Sequence, residues 1–522
     1  MAEPDQTIAQ AFRAQAARRG DQPVIIAGDA VWTFSRLDQA SDAVAGGLVE
    51  LGAQAGDRIG LFCLNSPEFV VAYLAILKAG ATVVPINLML NPRAIGFILN
   101  DAGASGLFYS RQLAEAAAAA RQAAPGVRFA ISVGEDRDAS AEIDALMACG
   151  AEPPACATDA GSLAAVLYTS GTTGRPKGAM LSHRNLMSNT ASVQAALSFQ
   201  PGVDRILLVL PMFHAFAATV GMLTPLVCGL TLVIAERFEP RLVSAAIETG
   251  GATIFLGVPS MFSLLLRLDD AGVAQWRTVR ACISGGAAMP KAVMEAFEER
   301  FGIPVLEGDG PTECSPVTCV NPIDGPRKPG SVGLPLPGVE MRVVDEQGAT
   351  MVDGAHGEVC VRGPNVMLGY LGLEEETRQS FYGDWFRTGD LGYRDGAGYF
   401  YLVDRIKDLI ITNGMNIYPR IIEEVLYQHP AVAEAAVVGE PQELHGEIPV
   451  AYVAIKPGAE ADPVELRNWC RDHLGRHEVP RRVELVDALP RNAAGKILKR
   501  ELRRQGELER GVDHPPPDAP II

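Results

Sequence analysis

The chain has no excess of positive charge, no paired-cysteine pattern and no apolar leader, and each absence removes a class of function. Its formal charge is −17. A surface of that sign attracts neither nucleic acid nor an anionic membrane, and an anionic substrate needs locally placed Lys, Arg, backbone N–H groups or a metal. Nine cysteines are scattered along the chain without a CxxC pair. An odd, dispersed set argues against a disulfide framework or a zinc site and fits a reduced, cytoplasmic compartment. The opening MAEPDQTIAQAFRAQAARRG is polar where a signal peptide needs an apolar core. From Ile206 to Ala235 there is no acid, Lys or Arg, and about 20 apolar residues suffice for a membrane span. Pro211, His214, Gly221, Pro225 and Gly229 cut that stretch into short pieces, however, and it ends in the β-branched TLVIA. Buried strands and a core helix are the expectation.

What is present points to a large mixed protein. Of 522 residues, 48% are hydrophobic and 20% charged, a globular balance over several units' length. Between Ala164 and Glu307 short apolar runs (AAVLYT, ILLVLP, TLVIA, TIFLGVP, RACISGG, PVLEGDG) alternate with the helical patterns SHRNLMSNTASVQAAL and MPKAVMEAFEERF. Ser182 is a candidate N-cap for the first helix. Such alternation predicts a largely parallel sheet with helices on its faces. The first 110 residues repeat the style, and RQLAEAAAAARQAA favours helix. No short-period repeat occurs. After Pro329, Gly-rich turns separate short strands, which suggests an antiparallel section. Beyond Arg405 a smaller α+β pattern begins, with helices near Pro419–Gln428 and 463–473 and strands near 434–439 and 449–455. The expected fold is α/β: a large N-terminal domain, 1–403, of parallel sheets layered with helices plus a small antiparallel section. A hinge at 404–407 follows, then a smaller, mobile α+β C-terminal domain at 408–510 and a disordered tail at 511–522.

The strongest local signal is YTSGTTGRPKG, Tyr168 to Gly178, directly after a predicted strand. Glycines there let backbone N–H groups approach a phosphate, hydroxyls add donors, and Lys177 adds charge. The alternative is a flexible Gly/Ser/Thr surface loop. It is not a P-loop: Arg175 and Pro176 follow Gly174 where GxxxxGK[ST] needs Gly-Lys, and NAAGKI at 492–497 is preceded by Pro490 instead of the first glycine. No GxGxxG surrounds Gly308, Asp309 and Gly310 either.

Five more segments follow in order: PMFH at 211–214, EGDGPTE at 307–313, WFRTGD at 385–390, DRIKD at 404–408 with NGMNIYP at 413–419, and PRNAAGK at 490–496. Together with the loop they span nearly the whole chain, which resembles the acyl-adenylate-forming superfamily of acyl-CoA synthetases, luciferases and peptide-synthetase adenylation domains. It looks nearest to the fatty-acyl-CoA synthetases. A carboxylate is a poor electrophile repelled by a triphosphate, so attack on the α-phosphorus needs neutralised charge and alignment.

The resemblance implies that Lys496 bridges the carboxylate and the α-phosphate, that Glu313 and Thr169 hold Mg²⁺, and that Thr312 donates to the α-phosphate. Asp390 is implied at the ribose hydroxyls, Arg405 at the ribose or phosphate, and Gly285, Gly286 and Ala287 at the adenine. Ser170, Gly171, Thr172, Thr173, Gly174 and Lys177 of the loop, with Gly308, Asp309 and Gly310, complete the implied ATP site. His214 is a gate or orienting group beside the substrate carboxyl, or a core histidine. Lys407 is the implied pivot that withdraws Lys496, and the Gly414 loop the implied coenzyme A side. Two positions depart from the family pattern: Asp309 stands where an aromatic Tyr lies against adenine, and Ile421 where a Glu is usual.

The presumed acyl pocket draws on Phe213, His214, Phe216, Val258 and Gly285 and holds no fixed charge, so an apolar acid is expected. Ala215, Ala217 and Ala218 suggest room. The expected activity is ATP-dependent acid–CoA ligation of a medium- or long-chain fatty acid with ATP, Mg²⁺ and coenzyme A. An aromatic or alicyclic acid, a stand-alone enzyme loading an acyl carrier protein, and a non-catalytic binding protein are the alternatives. Fewer than about thirty residues follow Arg500, so the thiol acceptor is expected to be free, and a homodimer is left open.

Overall fold

The computed structural model describes residues 5–150, 158–170, 175–413, 415–442, 444–492 and 495–509. Two mainly parallel sheets carry the large unit. In the first, Val305–Asp309, Ala281–Ser284, Ile254–Gly257, Arg205–Leu208, Thr231–Ile234 and Pro23–Ala27 lie side by side in parallel. Three of these strands, TLVI, IFLG and ACIS, are buried along their whole length, the pattern of strands covered on both faces. In the second, Leu163–Ser170, Thr82–Pro85, Arg58–Phe62, Ala104–Ser110, Phe129–Val133 and Ala141–Glu142 are parallel.

The strands between Ala164 and Glu307 thus divide between two sheets. After Leu163–Ser170 the chain returns antiparallel as Pro176–Ser182 and crosses to the other sheet through the helix His183–Ala196. Ser182 caps that helix, its hydroxyl accepting from the Asn185 N–H while the Asn185 side chain accepts from the Ser182 N–H, so two orphan donors are met at once. The helix Pro67–Lys78 is buried all round from Phe69 onward, as befits a core helix. Its buried Lys78 is held by Asp38 at 2.6 Å and Asp42 at 2.7 Å.

The uncharged stretch folds as expected, into buried strands flanking helical turns. Arg205–Leu208 and Thr231–Ile234 enclose a π-helical segment, Ala217–Leu223, and a short helix, Thr224–Cys228. The Thr224 hydroxyl donates to the Thr219 carbonyl five residues back at 2.8 Å, which supports the wider turn. Among the described residues no helix is long and apolar enough to cross a membrane.

The antiparallel section pairs Glu340–Val344, Gly357–Arg362 and Trp385–Arg394, with Phe400–Arg405 hydrogen-bonded to the last. The small C-terminal unit is a mainly antiparallel sheet built on the hairpin Val432–Gln442 and Gly446–Ile455, with the helices Pro419–Tyr427 and Pro463–His473. It has its own core, in which Ile410, Ile422, Leu426, Val437, Val453 and Leu466 are sealed from solvent. Helix Pro419–Tyr427 turns Ile422, Val425 and Leu426 inward and leaves Ile421 exposed, so the residue that departs from the family pattern does not join that packing. The 511–522 segment, expected to be disordered, lies outside the described residues.

Candidate active site

The hairpin that carries the phosphate-loop signature puts Thr169 opposite Lys177. Gly171, Thr172, Thr173 and Gly174 lie outside the described residues, and so does Gly414; Ser170 ends its strand. The Thr169 hydroxyl donates to Glu313 Oε1 at 3.5 Å, and the Tyr370 hydroxyl donates to the same oxygen at 2.8 Å. Lys177 Nζ sits 5.4 Å from the Tyr370 ring centroid, within cation–π range. Tyr370 therefore ties loop lysine and carboxylate together. It escaped the sequence reading because GYLG at 369–372 carries no periodic or motif signal; only its strand pairing with Ala179 brings it there.

Thr312 opens a short 3₁₀ turn directly after the strand Val305–Asp309. That strand end, with Gly285 and Gly286 just past the neighbouring strand Ala281–Ser284, forms the floor of a cavity also lined by His214, Phe216, Gly308, Asp309, Gly310 and Thr312. Glycine is required at 310, where a Cβ would fall 1.6 Å from the Pro316 carbonyl oxygen. At Gly285 a Cβ would lie 3.4 Å from the Phe216 ring, so the ring rests on the floor. Phe213 and Val258 are buried elsewhere, and Ala287 is exposed; none of these three lines the cavity. Ala217 and Ala218 likewise face away, at the start of the π-helical segment, and only Ala215 of the three alanines reaches it. Val193, Leu197, Val220, Ile283, Val317 and Val320 make up the branched apolar share of the lining, to which Ser284 adds a hydroxyl, and the cavity as a whole measures about 50 Å³.

Asp390 and Arg405 are cross-strand partners on antiparallel strands, which is why two motifs 15 residues apart act at one place. Arg405 Nε lies 2.7 Å from Asp390 Oδ1. Burial raises the Asp390 carboxyl above its ordinary value, with Arg405 and then Lys496 opposing.

Lys496 belongs to the small unit yet arrives at this cluster. A turn closes on it: the Lys496 N–H donates to the Asn492 side-chain oxygen at 2.9 Å, and its carbonyl accepts from the Asn492 N–H at 2.9 Å. Next to it, Gly495 has φ +81° and its Cβ direction points 2.9 Å from Val258 Cγ2, so the turn lies flat against the large unit. Lys496 is exposed. Desolvation and the Arg405 charge lower its pKa, while Asp390 and Asp309 act in the other direction. The imidazole of His214 is pushed down to about 4 by burial and then by the Lys496 charge, so it is neutral at pH 7.

Docking of the small unit is largely polar. Arg420, at the start of helix Pro419–Tyr427, donates its N–H to Asp404 Oδ2 at 3.2 Å and reaches within 3.9 Å of buried Glu307. Glu424 accepts from the Lys291 N–H at 3.4 Å. Lys407 is exposed in the turn Ile406–Asp408 that joins the two units. Sequence reasoning missed Arg420 because its partners, Glu307 and Asp404, are far away in the chain.

Oxygen donors suit Mg²⁺, which takes one or two carboxylates and completes its shell with phosphate oxygens and water. Glu313 with the Thr169 hydroxyl fits that requirement.

Residues 12–371 match the AMP-binding enzyme family and residues 421–496 the AMP-binding enzyme C-terminal domain. A long-chain-fatty-acid–CoA ligase of Bacillus subtilis (strain 168) is 33% identical over 529 residues, covering 96% of this chain and 94% of that protein. A feruloyl-CoA synthase of an Amycolatopsis species is 35% identical over 479 residues, covering 92% and 94%. The crystal structure of the anthranilate CoA ligase AuaEII in complex with anthranoyl-AMP superposes with a TM-score of 0.90 at 26% identity, covering 98% of this chain and 99% of that one. The chain belongs to the AMP-binding enzyme family, within the acyl-adenylate-forming superfamily. It is an AMP-forming acyl-CoA synthetase whose substrates are a carboxylic acid, ATP and coenzyme A, and its family in general requires Mg²⁺.

Proposed function

We propose that this ligase activates an apolar acid, with a medium- or long-chain fatty acid as the best reading. The observation that carries it is the apolar share of the cavity lining, Val193, Leu197, Val220, Ile283, Val317 and Val320, which outnumbers the polar side chains there. A chain of methylenes gains about 0.8 kcal/mol per buried CH₂ in such surroundings. The whole cavity, about 50 Å³, is below the range that ligand pockets take, so an acyl group needs the lining side chains to part. An aromatic acid is the second reading, favoured by the Phe216 ring in the cavity lining beside Gly285 and by the feruloyl and anthranilate relatives.

In the first half-reaction a carboxylate oxygen attacks the α-phosphorus, giving acyl-AMP and pyrophosphate. Lys496 neutralises charge between the two anions, Thr312 donates to the α-phosphate, and Asp390 with Arg405 holds the ribose. Neutral His214 orients the carboxylate without adding charge. Glu313 and Thr169 hold Mg²⁺, which neutralises phosphate charge when bound, while the 169–177 loop cradles the phosphates and Gly285, Gly286, Gly308 and Gly310 leave room for the base. In the second half-reaction the small unit, 408–510, turns about the 404–407 hinge at Lys407 and withdraws Lys496. The thiolate of coenzyme A then attacks the acyl carbonyl from the Gly414 side, releasing AMP. A cytoplasmic setting is supported by the cysteines, all free among the described residues and all buried except Cys149.

Pyrophosphate release measured over a panel of saturated, aromatic and alicyclic acids, with and without coenzyme A, tests the reading. Preference rising with chain length supports the fatty acid; a preference for aromatic acids replaces it with the second reading. Turnover indifferent to coenzyme A but dependent on a carrier protein rules out free coenzyme A as acceptor.

A further inference from the structure

The turn that presents Thr312 and Glu313 is too short to hold itself. We propose that Asn365 is a positioning residue for adenylation: from the strap 364–370 it fixes the backbone behind Glu313, so that the carboxylate meets Thr169. This rests on the roles given above to Thr312 and Glu313.

The turn's own bonds are few. The Cys314 N–H donates to the Pro311 carbonyl at 2.8 Å, and the Ser315 N–H to the Thr312 carbonyl at 3.1 Å. The carbonyls of Glu313 and Cys314 are thereby left without a partner inside the turn, although Cys314 and Ser315 are sealed from solvent. The strap meets both. The Met367 N–H donates to the Glu313 carbonyl at 2.7 Å, and the Asn365 side-chain Nδ2 donates to the Cys314 carbonyl at 2.9 Å. A third tie runs the other way, from the Ser315 hydroxyl to the Asn365 carbonyl at 2.8 Å. Three successive residues of the turn are thus tied to one segment. Asn365 is 1% exposed, and its Oδ1 has no hydrogen-bond partner among the described residues. A buried amide with one end unpaired is costly, so what the site uses is the donation from its NH₂ group.

A strap fixes a turn only if it is itself fixed. The Asn185 amide donates to the Pro364 and Val366 carbonyls, each at 2.8 Å, on either side of Asn365. Its Oδ1 is engaged by the N–H and hydroxyl of Ser182. Ser182 ends the strand Pro176–Ser182, so the frame is the same hairpin that sets Thr169 opposite Lys177. Farther along, Gly369–Tyr370 pairs with that strand and brings the Tyr370 hydroxyl to Glu313. Main chain and carboxylate of Glu313 are therefore both referenced to the hairpin. A misplacement of about 1 Å in such a group costs up to about 10²-fold in rate.

The test uses the full-length enzyme and reads three quantities: single-turnover pyrophosphate release without coenzyme A, thioester formation from supplied acyl-AMP, and equilibrium binding of ATP with and without Mg²⁺ in the absence of acid. Asn365→Ala is expected to slow adenylation about tenfold. It should cut the gain in ATP affinity that Mg²⁺ brings several-fold and leave transfer within about twofold of wild type. In a Glu313→Gln background the same substitution should change ATP affinity by less than about 1.5-fold, because the group it positions is gone. Adenylation at wild-type speed overturns the proposal. Equal slowing of both half-reactions overturns it too, as the mark of a merely structural amide, and so does a full additive loss of ATP affinity on top of Glu313→Gln. Should Asn365→Ala fail to fold, Asn365→Ser carries the same comparisons. Failure of the roles assigned to the turn shows separately, as a Glu313→Gln enzyme that binds ATP with Mg²⁺ and adenylates as the wild type does.

Discussion

The cleft floor and the turn that carries Lys496 differ in how they are held. The floor rides on strands sealed in a large core, with Leu306 at 0% and Ile283 at 4% exposure, and on Gly310, whose neighbours leave no room for a side chain. Lys496 rides on a turn held by local bonds, the bridge between Arg491 and Ile497 and the paired hydrogen bonds between Asn492 and Lys496. The unit behind that turn meets the large one through Arg420, Glu424 and Gly495 rather than through a shared core. Tight packing holds one geometry, whereas a polar interface between units opens at modest cost. The proposed two-step chemistry would use both, a nucleotide seat that stays and a lysine that can leave.

Removing the delivered charge tests that contrast most severely. Lys496→Ala is expected to slow adenylation by at least ~10²-fold, since one preorganised donor to developing charge is worth roughly 3–4 kcal/mol. Thioester formation from supplied acyl-AMP should be far less affected, and equal loss in both assays would remove Lys496 from its assigned step.

A fixed floor should also betray itself in acid. His183 begins the helix that crosses between the sheets; it is 1% exposed and its Nδ1 accepts from the Ile8 N–H at 3.2 Å. Burial holds its pKa near 4, below the 6.5 of an ordinary histidine. The folded protein thus binds fewer protons here than the unfolded chain between those values. The contribution is complete above pH 6.5 and fades as pH falls toward 4, by about 2.5 kcal/mol at pH 4.5. Urea unfolding of the large unit at pH 7 and pH 4.5, compared with His183→Gln, measures it; an identical pH slope in both proteins refutes the assignment.

Stiffening the joint should act on the other step. Lys407→Pro fixes φ near −65° in the connecting turn, and transfer to coenzyme A should fall about tenfold or more while acyl-AMP still forms. Normal overall turnover would show that rotation does not pass through Lys407.

The smallest effect concerns the tie between the hairpin and Glu313, the carboxylate proposed to hold Mg²⁺. Tyr370→Phe removes the hydroxyl that donates to Glu313 at 2.8 Å. A charged hydrogen bond of this kind contributes about 1–2 kcal/mol, so the Mg²⁺ requirement should rise several-fold with the acid preference unchanged. Titrating activity against Mg²⁺ decides it.

By itself the sequence determined the layered α/β fold, the order of the elements and the family. The apolar runs, caps and glycine turns are local features, and six ordered segments each need particular residue types for phosphate chemistry. Thr169, Glu313, Asp390, Arg405 and Lys496 could be singled out because a charge or hydroxyl in a fixed motif is visible without neighbours. Which apolar residues line the cavity was not visible: Phe213, Val258 and Ala287 sit beside the right motifs and miss it, since adjacency in the chain does not set which way a side chain points. The partnerships of Tyr370 with Glu313 and Arg420 with Glu307 were decided by tertiary structure alone. Each joins elements 50 or more residues apart, and a contact of that kind exists only once the sheets and the small unit have come together.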